Sequence, residues 1–138
     1  MSLLKFLGTA LLATAFGGVS AKADTVWTFF DESGGMGGDV VAEPSTSTHF
    51  VFYNEQTKVR FYVEAAGGLE PGIAHNGYYV MYDQSRTPCP TGAAADHFGN
   101  SLPMWGYLQY MSDPNSEDFQ VNVGICDGPL EQVLTARW

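Results

Sequence analysis

The sequence predicts an all-β domain: an antiparallel meander of about seven or eight strands, closed into a small barrel or folded into a sandwich and stapled by one disulfide. Three observations carry that expectation. Along the chain beyond residue 23 the apolar residues alternate with polar ones, the period of a strand rather than of a helix. Glycine and proline, 16 and 7 in number, interrupt the pattern before a helix of ordinary length can form. Two cysteines, Cys89 and Cys126, lie beyond the N-terminal segment, and two thiols in a small exported chain are expected to pair.

The elements follow in chain order. The opening segment, MSLLKFLGTALLATAFGGVSAKAD, has Lys5 before an apolar run from Phe6 to about Val19, and then Ala21-Lys22-Ala23, the small-x-small pattern of a signal-peptidase site. Residues 1–23 are expected to be a cleaved export signal, leaving one domain over 24–138 in a secreted or periplasmic compartment. A membrane anchor needs about 20 apolar residues, and this run is shorter. TVWTFF, Thr25 to Phe30, reads as the first strand, and the glycine-rich DESGGMGGD as a flexible connection. Val40-Val41 and THFVFY, Thr48 to Tyr53, give one or two more strands.

A hairpin comes next. Asn54 to Thr57 is polar and turn-forming, and KVRFYVEA beyond it sets Val59, Phe61, Val63 and Ala65 on a buried face and Lys58, Arg60, Tyr62 and Glu64 on a wet one. YYVMY, Tyr78 to Tyr82, is apolar enough for a central strand. A long connection from Gln84 to Pro103 leads to three closing strands, MWGYLQYM, FQVNVGI and LEQVLTARW. The second places Phe119, Val121, Val123 and Ile125 on one face. A meander of this size buries its apolar side by curling into a barrel or splitting into two sheets.

Charge narrows the partners. Residues 24–138 carry 15 acidic side chains against four basic ones, Lys58, Arg60, Arg86 and Arg137, a formal charge of −11. Such a surface repels nucleic acid and anionic membranes, and no other segment is apolar and long enough to insert after the signal is removed. A basic protein or a glycan is the expected partner, and no cofactor or metal is expected.

The stretch PCPTGAAADH, Pro88 to His97, sets Cys89, Asp96 and His97 within ten residues and invites a catalytic reading. A reactive thiol needs a lowered pKa and a base in reach, and in an oxidising compartment a second cysteine would capture it. The Cys89–Cys126 disulfide is the expectation, closing a loop worth about 3–4 kcal/mol in the chain-entropy model. GGMGG lacks the lysine and the following helix of a phosphate loop. DPNSED, Asp113 to Asp118, lacks the glycine and the distal acid of a calcium loop. His49, His75 and His97 show no paired ligand spacing, so a zinc or hydrolase site would have to be assembled by tertiary structure. The aromatic surplus is the remaining pointer: Trp105, Tyr107 and Tyr110, with Asp96 and His97 on the tethered loop, are the candidate binding surface, with a division of the three rings between two strand faces as the alternative.

The C-terminal part from about residue 78, with its Trp-Gly strand, Phe-led strand, Cys-Asp-Gly and closing tryptophan, resembles the endings of small exported bacterial all-β proteins of unassigned function. That resemblance implies an all-β fold and supports the Cys89–Cys126 pairing, and it carries no activity. In size, disulfide and charge the chain is also similar to the periplasmic inhibitors of lysozyme, although GGLEPGIAHNG lacks the serine and lysine of their inhibitory loop. The expectation is a module that binds rather than transforms, with inhibition of a cationic enzyme, glycan binding and a small hydrolase as alternatives.

Overall fold

The computed structural model describes residues 26–83 and 86–138; the expected export signal, 1–23, lies outside them. Ten strands follow one another: β1 (Val26–Phe30), β2 (Met36–Glu43), β3 (His49–Asn54), β4 (Val59–Glu64), β5 (His75–Met81), β6 (Ala94–Ala95), β7 (Ser101–Leu102), β8 (Trp105–Ser112), β9 (Phe119–Val123) and β10 (Gln132–Arg137). Eight of them form a closed antiparallel barrel in the order β1-β10-β9-β8-β5-β4-β3-β2, while β6 and β7 make a separate small hairpin. Barrel rather than sandwich is thus decided by the pairing of β10 back onto β1, Phe29 opposite Ala136, which leaves the meander no open edge.

The alternation read from the sequence sets the inside of the barrel. Val59, Phe61 and Val63 of β4 point inward beside Phe52 of β3, Tyr79 of β5, Leu108 and Tyr110 of β8, and Phe119, Val121 and Val123 of β9. Phe52 and Phe61, directly paired across β3 and β4, stack at 4.7 Å and 8°. Phe29 and Phe119 close on that pair edge-on, at 5.5 Å from Phe61 and 5.1 Å from Phe52. Rings in these geometries fill the middle of the barrel and add quadrupole attraction to area burial. Trp27 plugs one end, its indole N–H donating to the Glu117 carbonyl at 2.7 Å.

Two inward glycines set the spacing. A Cβ on Gly106 would lie 2.5 Å from the Tyr79 ring, and one on Gly77 would strike the Tyr62 carbonyl. The missing side chain of Gly106 therefore makes room for the large ring of its cross-strand partner, Tyr79.

The chain departs from the sequence reading in four places. GGMGG is not a free connection: Met36, Gly37 and Gly38 belong to β2, and the register shifts between Phe29 and Phe30 because one residue is extra there. Gly38 sits at φ 90°, the backbone such a bulge requires, and Asn54 donates to the Gly37 carbonyl at 2.8 Å. Tyr62 points outward as expected but is 2% exposed, because the segment after β5 lies over it. Ile125 is 63% exposed: β9 ends at Val123, and the chain turns through Cys126 at φ 56°, so the alternation stops before it. The connection expected between Gln84 and Pro103 carries β6 and β7 and packs on the barrel wall.

Candidate functional site

The outer wall over β3, β4, β5 and β8 carries a row of side chains at one level: Val51 opposite Tyr62, Tyr62 opposite Tyr78, and Tyr78 opposite Tyr107. Outward tyrosines at paired positions come within reach of one another, and Tyr62 and Tyr78 stack at 5.0 Å and 17°. The β6–β7 hairpin lies on this row. Beneath it Val51, Tyr62, Val80, Leu102, Trp105 and the cysteines form a second apolar cluster, outside the barrel.

Three devices fix the hairpin. Cys89 and Cys126 are bonded, with Cα atoms 5.5 Å apart, as the sequence led one to expect. The Trp105 indole donates to the Gly92 carbonyl at 2.7 Å, and the Tyr78 hydroxyl to the Ala95 carbonyl at 2.8 Å. The tip itself is ordered by Asp96. Its carboxylate accepts from the Tyr82 hydroxyl at 2.6 Å, the Asn100 amide at 2.9 Å, and the backbone N–H groups of Phe98 and Asn100 at 3.0 and 2.8 Å. Burial alone would push this carboxyl up; the four donors outweigh it and hold the group down at about 2. Asp96 is therefore a buried anion with its acceptor capacity used by the turn and by Tyr82.

His97, the next residue, turns the other way. Its backbone N–H donates to the Tyr62 hydroxyl oxygen at 3.0 Å, and the same hydroxyl lies 2.7 Å from Nδ1. The one hydroxyl therefore serves both the backbone and the ring of His97. Burial pushes the Tyr62 phenol up to about 12, so it remains a neutral hydroxyl at ordinary pH. Asp96 and His97, adjacent in sequence, thus serve separate partners. His49 packs edge-on against Tyr62 and Tyr78 at 6.1 and 6.0 Å, with its Nδ1 2.8 Å from the Thr48 hydroxyl, while His75 lies elsewhere, its Nε2 accepting the Glu70 N–H at 3.2 Å.

Beside the tip, Arg60 of β4 holds a forked pair with Glu43, at 2.7 and 3.0 Å, and donates to the Tyr82 hydroxyl at 2.7 Å. A chain of bonds therefore runs from Glu43 through Arg60 and Tyr82 to Asp96. Phe98 lies over the guanidinium at 4.9 Å and against the His97 ring at 4.1 Å, yet it is 63% exposed. An aromatic ring in water, backed by a cation and a second ring on a pinned turn, is a ready contact point.

Of the residues singled out in the sequence, Asp96, His97, Trp105 and Tyr107 lie on this outer wall, and Tyr110 does not. Tyr110 points into the barrel core, 4.9 Å from Phe119, so the three rings of the Trp105 strand are divided between its faces. Trp105 is covered by the hairpin and meets Tyr107 edge-on at 5.2 Å; Tyr107 is 49% exposed. Phe98, Arg60, Tyr62, Tyr78 and Tyr82 were missed. The turn pattern DHFGN could have marked Phe98 as the exposed residue of a tight turn. The tyrosine row needed the strand register. Asp113, in the acidic turn, accepts from the Asn115 N–H and the Ser116 hydroxyl, which commits that carboxylate to the turn. Among the described residues no three His, Cys, Asp or Glu side chains are grouped as metal ligands.

These features define a class: an eight-stranded up-and-down barrel that carries an external hairpin stapled by a disulfide. Comparison with protein-family models, curated proteins and solved structures gives no match.

Proposed function

We propose that the chain is an exported, non-catalytic binding module that engages a basic protein through the tip of its external hairpin, His97 and Phe98, with Tyr107 at the edge of the contact. The carrying observation is Phe98, exposed yet held by a turn whose backbone and side-chain donors converge on Asp96. Such a tip loses little conformational freedom on binding, and pre-ordering of this kind raises affinity by lowering the entropic cost. The excess of acid over base speeds encounter with a cationic partner. A protein partner is favoured over a sugar because the coplanar pair, Tyr62 and Tyr78, has one ring closed off under the hairpin, whereas the Trp105–Tyr107 pair is inclined at 77°.

Inhibition of a cationic enzyme such as lysozyme is the particular form to test. Added protein should slow lysozyme turnover at low salt, lose that effect as salt rises, and be weakened about tenfold or more by Phe98→Ala, the loss expected when a central aromatic anchor is truncated. Full inhibition by the Phe98→Ala variant would show that the tip is not the contact. No inhibition by the wild type at any salt would remove lysozyme as the partner.

A further inference from the structure

We propose that the barrel mouth beside the disulfide is a binding site for a small organic monocarboxylate, held by Arg86; this site is independent of the hairpin tip. A cavity of about 240 Å³ opens there, walled by Tyr79, Arg86, Val123, Ile125, Pro129 and Gln132. Mouths of small barrels are places where ligands bind, because the strand ends leave side chains facing an unfilled space.

Arg86 is the reason to expect an anion. The other cations of the described residues are occupied or solvated: Lys58 pairs with Glu55, Arg60 with Glu43, and Arg137 lies exposed over Phe30. Arg86 is half-buried and pairs with no carboxylate among the described residues. Its terminal nitrogens donate to the Tyr79 hydroxyl and the Trp105 carbonyl, at 3.3 and 3.4 Å, both long for such bonds, and the guanidinium lies 5.9 Å from the Tyr79 ring centroid. Its Nε–H is buried with no acceptor among the described residues. A guanidinium has five N–H donors, and withdrawing it from water without a counter-charge is unfavourable. A carboxylate in the cavity supplies the counter-charge and acceptors for the part of the guanidinium that lines it.

The walls specify the rest of the ligand. Val123, Ile125 and Pro129 offer apolar surface to a hydrocarbon body. Glu131, also on the lining, disfavours a second negative charge, and so a phosphate or a dicarboxylate. The two sides of the cavity are tied together: Arg86 lies three residues before Cys89, Ile125 and Gly128 flank Cys126, and the disulfide joins the two segments. The Tyr79 hydroxyl donates to the Gly124 carbonyl at 2.7 Å and fixes the floor.

The test is a titration of the oxidised protein with benzoate, benzamide and inorganic phosphate, followed by nitrogen-15 NMR. Benzoate should give saturable shifts in the Arg86 Nε–H and in the amides of Gly124 and Gly128, with the Phe98 amide unmoved. Benzamide and phosphate should bind about tenfold more weakly or worse, the loss of one charge-assisted contact. Arg86→Gln should lower benzoate affinity by the same factor, with Arg86→Lys between the two. Equal binding of benzamide would reduce the site to an apolar pocket, and equal binding of phosphate would overturn the monocarboxylate assignment. Absence of saturation with benzoate, or unchanged affinity in Arg86→Gln, would overturn the site. The wild-type comparison of benzoate with benzamide stands whether or not the variants fold.

Discussion

Tyr62 bonds His97 twice, receiving the backbone N–H at 3.0 Å on the hydroxyl oxygen and facing the ring Nδ1 at 2.7 Å. One phenol on the barrel wall thus ties down both the backbone path of the hairpin tip and the ring of its histidine.

Tyr62→Phe removes that oxygen and leaves a backbone donor without its acceptor. Stability should fall by about 1–3 kcal/mol, the cost of an unsatisfied group at a site this well covered. Urea titration measures the loss. The His97 backbone amide and ring Nδ1, read by NMR, should both shift as their shared hydrogen-bond partner is lost, which a purely packing role for Tyr62 would not cause.

Acid should loosen the hairpin. Asp96 is held at about 2 against an ordinary 3.8, so its bonds stabilise the fold above the unfolded value and are lost as the pH falls through the folded one. Between about pH 4 and pH 2 the protein should lose on the order of 2 kcal/mol from this group. Asp96→Asn should be less stable at neutral pH and flatter across that window, as followed by the unfolding midpoint at each pH. A variant that keeps the full wild-type acid slope would assign the slope to other carboxylates.

Replacing both cysteines by alanine should cost about 3–4 kcal/mol and lower the thermal midpoint by about 10 °C or more. Hydrogen exchange should accelerate over residues 86–104 while β3, β4 and β9 stay protected, since the barrel closes without the hairpin. Uniform acceleration along the chain would mean that hairpin and barrel unfold as one unit.

Gly106→Ala should be severely destabilising, by about 3 kcal/mol or more, because its Cβ would meet the Gly124 carbonyl and the Tyr79 ring, neither of which can give way without moving a strand. Gly67→Ala, where a Cβ would meet nothing, should be neutral or slightly stabilising. Parallel thermal melts of the two variants separate the effect of the close approach from a general preference for glycine.

The strands and their inward faces were largely legible because alternation is a local property. Val59, Phe61 and Val63 face inward as the sequence says, and Cys89 pairs with Cys126 as redox chemistry and chain length suggest. The site was legible only in part. Asp96 and His97 were recognised as a notable pair, but their roles diverge because one side chain bonds Tyr82, just past the end of β5, and the other Tyr62, on β4. Trp105, Tyr107 and Tyr110 could be counted but not sorted into core and surface until β8 was set between β5 and β9.

Residue order by itself determined strand content, the inward face of most strands, the acidic charge and the disulfide, since each depends on side-chain period, composition or simple pairing. Tertiary structure decided that the meander closes, that an outward tyrosine row is roofed by the hairpin, and that Phe98 is left in water while Tyr62 is not. It also set Arg86 at the barrel mouth with no carboxylate partner among the described residues. These depend on cross-strand register and on where a connection of about twenty residues comes to rest, which is settled by packing against surfaces distant in sequence.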